Sequence, residues 1–259
     1  MKIRSVIDYL NEIYPLSLQE HYDNSGFCIG DPENDLSGIV VALDLTQEVI
    51  DEAVSANANL IVTHHPLIFN PIRNITSDTL QGGLILNLIT NHIALYSAHT
   101  SLDNHPSGVS YALAAKLGIR NTQILRPLPN FPDSGAGMVG DVEPVDFQSF
   151  VSFVKERLGL PFVKCSGRLA GSVSRVALCG GSGSFLISDA IEAGADVLLT
   201  ADIKYHDFQL ADDRISIIDI GHFESEQWAQ EIIYSDIIKK FSNFACRIVR
   251  HKTNYVSYM

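Results

Sequence analysis

The sequence has 259 residues, and it lacks both a long apolar run and an excess of basic residues. Its most apolar stretch, residues 84–98, is interrupted by Asn87, Asn91 and His92, so it is too polar for a transmembrane helix. Against 30 Asp and Glu there are only 18 Lys and Arg, which gives a formal charge of −12. This charge disfavours anionic lipid and nucleic acid, and no basic stripe offsets it. We therefore expect neither a membrane nor a nucleic-acid partner.

Paired cysteines are also lacking. The cysteines, Cys28, Cys165, Cys179 and Cys246, are scattered and form no CxxC pair. Such usage is typical of reduced, mostly buried thiols in a cytoplasmic protein. No signal peptide is predicted, because the opening residues MKIRSVIDYLNEIYPL place apolar side chains at helical spacing with polar ones between them. We expect an amphipathic helix there and a cytoplasmic location.

What the sequence does contain is a regular alternation of strand and helix patterns. Apolar residues make up 46% of the chain, which is enough for a substantial core. We expect an α/β fold in which helices separate strands near 38–45, 59–63, 93–98, 175–179, 196–200, 215–220 and 245–250. The segment 118–145 is rich in Pro, Gly and Asn, so we expect a change of domain there. A single long helix is expected over 224–241.

Side chains suited to chemistry collect where the predicted strands end. Ligands of open α/β sheets bind beyond the carboxyl ends of the strands, so this grouping is informative. The residues that follow strand ends are His64, His65, His99, Asp103, Asp202, Lys204, His206, His222 and Glu226.

Within this group the spacing favours metal ligands. His222 and Glu226 are four apart where a helix begins, so both side chains lie on one face. His64 and His65 would face opposite ways on a strand, but beyond its end the chain can turn both towards one cavity or two ions. Three imidazoles with the carboxylates of Asp103 and Glu226 suit Zn, Mn, Fe, Co or Ni better than Ca or Mg. A bridging Glu226 would give a dinuclear hydrolytic site for a small anionic substrate.

Simpler interpretations compete with these. We expect structural roles for the isolated histidines His21, His92, His105 and His251. For the His64-His65 pair, structural and metal-binding roles are evenly balanced on the residues alone. The GGSGS segment at 180–184 could hold an anion, but it lacks the phosphate-loop lysine, so a tight turn is favoured.

At these same residues the sequence resembles the Nif-three-like family, also labelled GTP cyclohydrolase I type 2 homologs. The matching segments follow the family order, have similar spacing and together span essentially the whole chain. They are HYDNSGFCIGDP (21–32), THHPLIF (63–69), YSAHTSLDN (96–104), GGSGS (180–184), TADIKYHDFQLA (200–211) and GHFESE (221–226).

The resemblance implies a ligand set and a domain layout. His64 and Asp103 would hold one divalent transition-metal ion, His65 and His222 a second, and Glu226 both. Two interleaved α/β layered domains with a dimetal cleft between them are implied: residues 1–122 plus 236–259, with His64, His65 and Asp103, and residues 123–235, with His222 and Glu226. Relatives form ring-like hexamers, so a homohexamer is also implied.

The function that follows is a dinuclear-metal-dependent hydrolase, either GTP cyclohydrolase type 2-like or acting on a nucleotide or phosphoester. We expect His99 to serve in proton transfer or in support of the metal ligands, and His206 is a weaker candidate. The alternative is a non-catalytic metal-binding or scaffold protein that stores or inserts metal. Openness of the site separates the two, because a structural site is closed by protein ligands.

Overall fold

A computed structural model describes residues 1–166 and 171–257. No helix in this part of the chain combines the length and the apolar character needed to cross a bilayer. In chain order the elements are α1 (Ile3–Ile13), β1 (Gly26–Ile29), β2 (Ile39–Ala42), α2 (Gln47–Ser55), β3 (Leu60–Thr63), α3 (Leu80–Thr90), β4 (Ala94–Ser97), α4 (His99–Asp103), α5 (Val109–Lys116), β5 (Arg120–Leu128), β6 (Phe131–Asp146), α6 (Phe147–Leu158), β7 (Lys164–Ser166), β8 (Ser172–Ser182), α7 (Ile187–Glu192), β9 (Val197–Ala201), α8 (Tyr205–Gln209), β10 (Ser216–Asp219), α9 (His222–Glu226), α10 (Ala229–Lys240) and β11 (Cys246–Ile248).

The described chain divides into two compact units. The first consists of Met1–Leu102 and Ala229–Ser257, and the second of Asp103–Trp228. The domain changes expected from the sequence lie after residues 122 and 235. Residues 167–170 of the expected second domain and 258–259 of the expected first domain lie outside the described residues.

The first unit is built on a mostly parallel sheet with the strand order β1-β4-β3-β2-β11. β4, β3, β2 and β11 run parallel, and β1 is antiparallel to β4. Every residue of β2, β3 and β4 is buried. Strands buried on both faces require helices on both faces, and this explains their unbroken apolar sequences.

Helices α1 and α2 form for reasons visible in the sequence. The apolar positions of α1 are buried, as its amphipathic pattern predicts. Just beyond it, the Tyr14 hydroxyl donates to Asp236 Oδ2 of α10 at 2.6 Å. Helix α2 begins after Thr46, whose hydroxyl oxygen accepts a hydrogen bond from the Val49 N–H. This is the N-cap that the sequence predicts.

The second unit has a mixed sheet with the order β5-β6-β8-β9-β10-β7. β8, β9 and β10 run parallel, and the other pairs are antiparallel. Alternate residues of β8 enter cores on opposite faces of the sheet, as expected for a strand. Val176 and Leu178 pack with Phe150 of α6, whereas Ala177 packs with Ile187 of α7. This α/β architecture confirms the predicted fold class.

The segment 118–145, where a change of domain is expected, forms most of β5 and β6. Its glycines allow close approach between strands. A Cβ on Gly140 would lie 2.6 Å from the Arg120 carbonyl oxygen, and one on Gly137 would lie 2.9 Å from that of Leu178. Gly137 also has a φ of +67°. Glycine is therefore required inside the hairpin.

The expectation of one long helix over 224–241 was wrong, because two separate helices occupy this segment. α9 ends at Glu226 and α10 begins at Ala229, where the chain passes from the second unit to the first. The side chain of Trp228, at the interruption, packs against the core that contains Phe150. The sequence analysis also missed β1 and α4, which are too short to produce a periodic pattern.

Phe150→Ala tests the core of the second unit. Phe150 is almost completely buried, so its truncation should lower the free energy of unfolding by about 3–5 kcal/mol. Urea denaturation followed by the fluorescence of Trp228, the single tryptophan, reports on the same core. The control Phe162→Ala removes a ring that is 48% exposed and should cost at most about 0.5 kcal/mol. Equal losses in both variants would contradict this description of the core.

Candidate functional site

The adjacent histidines His64 and His65 follow β3 and turn to the same side. Both backbone N–H groups donate to the Leu43 carbonyl oxygen, at 3.1 and 3.0 Å. Because both groups share one acceptor, the backbone departs from regular strand geometry here. The two side chains therefore do not point to opposite faces of the sheet. Their ring centroids are 4.9 Å apart, and His64 is completely buried.

His99 joins this pair within the first unit. It is the first residue of α4, and its ring centroid lies 5.5 Å from that of His64 and 5.6 Å from that of His65. Three imidazoles are therefore grouped at the carboxyl ends of β3 and β4. The sequence predicts His99 just after a strand end, and the residue lies there, at the start of α4.

Each of three histidines has its Nδ1 atom paired with a carboxylate. In the first unit, His65 Nδ1 lies 2.7 Å from Asp44 Oδ1 and His99 Nδ1 lies 2.7 Å from Asp23 Oδ1. In the second unit, His222 Nδ1 lies 2.6 Å from Asp202 Oδ2. A carboxylate at Nδ1 fixes the ring and directs Nε2 outward, as in metal-binding histidines.

The charge state of these carboxylates decides which atom carries the proton. Burial by itself would raise the pKa of Asp44, but His65 and the Thr253 hydroxyl outweigh it and lower that pKa. Burial is likewise outweighed at Asp202, where the Ser182 hydroxyl and His222 lower the pKa. An ionised carboxylate only accepts hydrogen bonds, so the imidazole Nδ1 donates and Nε2 is directed away from the carboxylate.

Asp23 is the most heavily hydrogen-bonded of the three carboxylates. It accepts from the Thr100 N–H at 3.0 Å, from the Ser25 hydroxyl at 2.7 Å and from the Thr100 hydroxyl. Burial would raise the pKa of Asp23, but His99 and these hydroxyls lower it well below the usual range. Asp23 thus fixes both the start of α4 and the ring of His99.

In the second unit His222 and Glu226 share one face of α9, as their spacing predicts. They occupy the two ends of α9, and His222 Nε2 lies 2.9 Å from Glu226 Oε2. The carboxylate of Glu226 is almost fully buried. Burial and then the charges of Asp103 and Glu226 raise the pKa of the Cys179 thiol. Cys179 is therefore a neutral thiol rather than a nucleophile, and it is free, as are the other cysteines.

A buried aspartate braces the two loops that carry Asp202 and His222. Asp219 Oδ2 accepts from the Ile203 N–H and Oδ1 from the Gly221 N–H, each at 3.1 Å. Lys164 Nζ compensates its charge at 2.6 Å. Because each accepted N–H is adjacent in sequence to a site residue, Asp219 sets the separation of Asp202 and His222.

The glycine-rich segment 180–184 makes room for Glu226. Gly181 has a φ of +62°, and a Cβ there would lie 2.1 Å from Glu226 Oε1. The Gly181 N–H donates to the Ser225 hydroxyl at 2.8 Å, and its carbonyl oxygen accepts from Thr200 at 2.9 Å. These contacts give the glycine a packing role against α9.

Other histidines from the sequence analysis have local contacts. His105 Nδ1 accepts from the Ser107 N–H at 3.2 Å, which stabilises a turn. His206 is exposed on α8, where its ring meets that of Tyr205 at 5.2 Å. His92 has a φ of +55° just after α3.

The described side chains include donors that could hold a metal ion, among them those of His64, His65 and Glu226. Imidazole nitrogen combined with carboxylate oxygen suits transition metals. Asp202 is among the residues predicted at strand ends. Three further carboxylates that organise these donors were not predicted, and they are Asp23, Asp44 and Asp219. The last two lie at or just after strand ends, so the rule that selected the histidines could have selected them too.

Two α/β units with carboxylate-oriented histidines at their strand ends define the class of protein: an α/β protein with donors suited to metal binding. More specifically, the chain belongs to the Duf34/NIF3 (NGG1p interacting factor 3) family, whose model matches residues 1–255. This confirms the resemblance found in the sequence.

Known relatives agree with this membership. The GTP cyclohydrolase 1 type 2 homolog of Clostridium perfringens is 37% identical over 244 residues, covering 93% of this chain and 92% of the relative. A solved hypothetical protein of Staphylococcus aureus matches with a TM-score of 0.91 and 27% identity, covering 100% and 99% of the two chains. A Bacillus cereus protein related to NIF3 matches with a TM-score of 0.93 and the same coverage; at 24% identity it supports the fold alone.

Gly181→Ala tests the packing of Glu226 against the glycine-rich segment. Gly194→Ala is the matched control, because Gly194 has a φ of +68° but open space around an added Cβ. The control should cost about 1 kcal/mol of unfolding free energy for its left-handed backbone. Gly181→Ala should cost about 1–3 kcal/mol more, because the new methyl group overlaps the carboxylate. Urea denaturation followed by Trp228 fluorescence measures both, and equal costs would contradict the close approach.

Proposed function

We propose that this protein is a dinuclear-metal-dependent hydrolase that acts on a nucleotide or phosphoester, with GTP cyclohydrolase type 2-like ring opening as one such reaction. The observation that carries the proposal is the carboxylate at Nδ1 of His65, His99 and His222. This arrangement directs Nε2 of each ring away from its carboxylate, as in metal-binding histidines. The name of the Clostridium perfringens relative is consistent with the proposal.

The proposed ligands are those that the family resemblance assigns. His64 and Asp103 would hold one divalent transition-metal ion, His65 and His222 the other, and Glu226 both. The donors fit such ions by their chemistry, since they combine imidazole nitrogens with carboxylate oxygens. When bound, the ions would supply Lewis-acid polarisation of the substrate.

The protein's own groups then orient ligands and move a proton. Asp44 and Asp202 hold the rings of His65 and His222 in the tautomer that presents Nε2. His99 is the proposed proton carrier, because Asp23 holds its Nδ1 and leaves Nε2 able to accept a proton from the attacking water. The same nitrogen would return that proton to the leaving group.

The second candidate is a non-catalytic protein that stores, inserts or is stabilised by metal. The buried position of His64 favours it, because structural sites are enclosed by protein. The partial exposure of the His222 side chain favours a site open to substrate. Five protein ligands shared by two ions would also leave coordination positions open, so we prefer the hydrolase.

The proposal also covers the location, the oligomeric state and the substrate of the protein. We propose a cytoplasmic homohexamer acting on a small anionic substrate, without a nucleic-acid or membrane partner. Bound divalent ions would be the largest single charges in the site and would attract an anionic group of the substrate directly.

Glu226→Ala tests the shared ligand. Protein purified without added metal should contain about two transition-metal ions per chain, and this content should fall sharply in the variant. Glu224→Ala, on the same helix, is the control and should retain the wild-type content. Elemental analysis measures all three. Wild-type protein without metal, or a variant with unchanged content, would contradict the dinuclear site.

His99→Ala separates proton transfer from metal binding. Metal content should stay at the wild-type level, whereas turnover of nucleotide and phosphoester substrates should fall about 10²–10⁴-fold. Elemental analysis and steady-state kinetics on one preparation give both quantities. Loss of metal would show that His99 is a ligand, and unchanged turnover would remove it from the proposed mechanism.

A further inference from the structure

Two aromatic side chains of the first unit are exposed and lie against each other. Tyr22 is 52% exposed and Phe69 is 40% exposed. Their ring centroids are 6.2 Å apart and their planes are inclined by 61°. Paired aromatic rings on a surface keep apolar area in contact with water, and such patches commonly mark binding sites.

The aromatic pair is in contact with the group formed by His64, His65 and His99. The Phe69 ring meets the His99 ring edge-on, with centroids 5.9 Å apart at 84°. The His99 ring in turn lies 5.6 Å from that of His65. The aromatic pair is thus two ring contacts away from a proposed metal ligand.

The segments that carry the two rings are tied to each other and to the fold. Asn24 Nδ2 donates to the Ile68 carbonyl oxygen at 2.6 Å, which links the residues after Tyr22 to the residue before Phe69. Gln81 Nε2 of α3 donates to the Leu67 carbonyl oxygen, also at 2.6 Å. These bonds hold the backbones beside both rings, which favours a binding surface that exists before the ligand arrives.

We infer that Tyr22 and Phe69 form a binding wall for a planar heteroaromatic ring, such as a nucleobase, in the molecule that reaches the histidines. The inference rests on the proposed function and specifies its substrate class. Because the rings are inclined, they form an angled wall: the ligand ring lies flat on one aromatic face while its edge meets the other. Stacking tolerates any base, since every base has a π-face. The wall therefore selects a planar ring and not a particular base.

The experiment compares two ligands that differ only in the base. Binding of guanosine monophosphate and of ribose 5-phosphate to manganese-loaded protein is measured by titration calorimetry. Tyr22→Ala and Phe69→Ala should each weaken binding of the nucleotide about tenfold, and leave ribose 5-phosphate unchanged. Tyr22→Phe keeps the ring and should bind the nucleotide as wild type does. Tyr111→Ala, which removes a 47% exposed ring of α5, is the control and should also be unchanged.

The other results overturn the inference in identifiable ways. Wild-type protein that binds the two ligands equally well, or alanine variants that bind the nucleotide normally, would show that no ring is held there. A changed oligomeric state with unchanged nucleotide affinity, measured by analytical ultracentrifugation, would assign the rings to contact between copies. Failure of the proposed hydrolase would show separately, as absent metal or absent turnover in wild-type protein.

Discussion

The hydrogen bond between a carboxylate and histidine Nδ1 is the constraint on which the candidate site depends, and strand pairing creates it. Asp44 follows β2 and His65 follows β3, which is the parallel neighbour of β2 with Ala42 opposite Thr63. Asp202 follows β9 and His222 follows β10, again parallel neighbours, with Thr200 opposite Asp219. Asp23 precedes β1 and His99 follows β4, and antiparallel pairing brings that start beside that end. In each case the histidine and its carboxylate partner lie next to the ends of two neighbouring strands.

This origin explains what could be predicted from the sequence. Apolar runs identified most strands, and polar residues at their ends identified His64, His65, His99, Asp103, His222 and Glu226 as candidates. The pairing of each aspartate with its histidine was not predicted, because the two residues belong to different strands and only sheet order makes them neighbours. Helix spacing is local, so the pairing of His222 with Glu226 could be predicted. Pairing across strands depends on register, which local patterns do not encode.

Glycine shows the same limit of local interpretation. Gly137, Gly140 and Gly181 all resemble turn residues in the sequence, yet each lies within a strand where another group comes very close. At Gly181 that group is the carboxylate of Glu226. A missing side chain is here part of the site, since it creates the space that a carboxylate at the end of α9 occupies. Composition alone cannot separate a glycine that bends the chain from one that admits a neighbour.

The return of the chain to the first unit has a consequence for its synthesis on the ribosome. Strand β11 pairs with β2, and Thr253 donates to Asp44, about 200 residues after those partners were made. The second unit is continuous in sequence and can fold while the chain is still being extended. Until the final segment emerges, the nascent first unit has an open edge at β2 and an incompletely braced support for His65. The hydrogen bonding of Asp44, which orients His65, is therefore complete only after the last residues are made, although His65 itself is translated early.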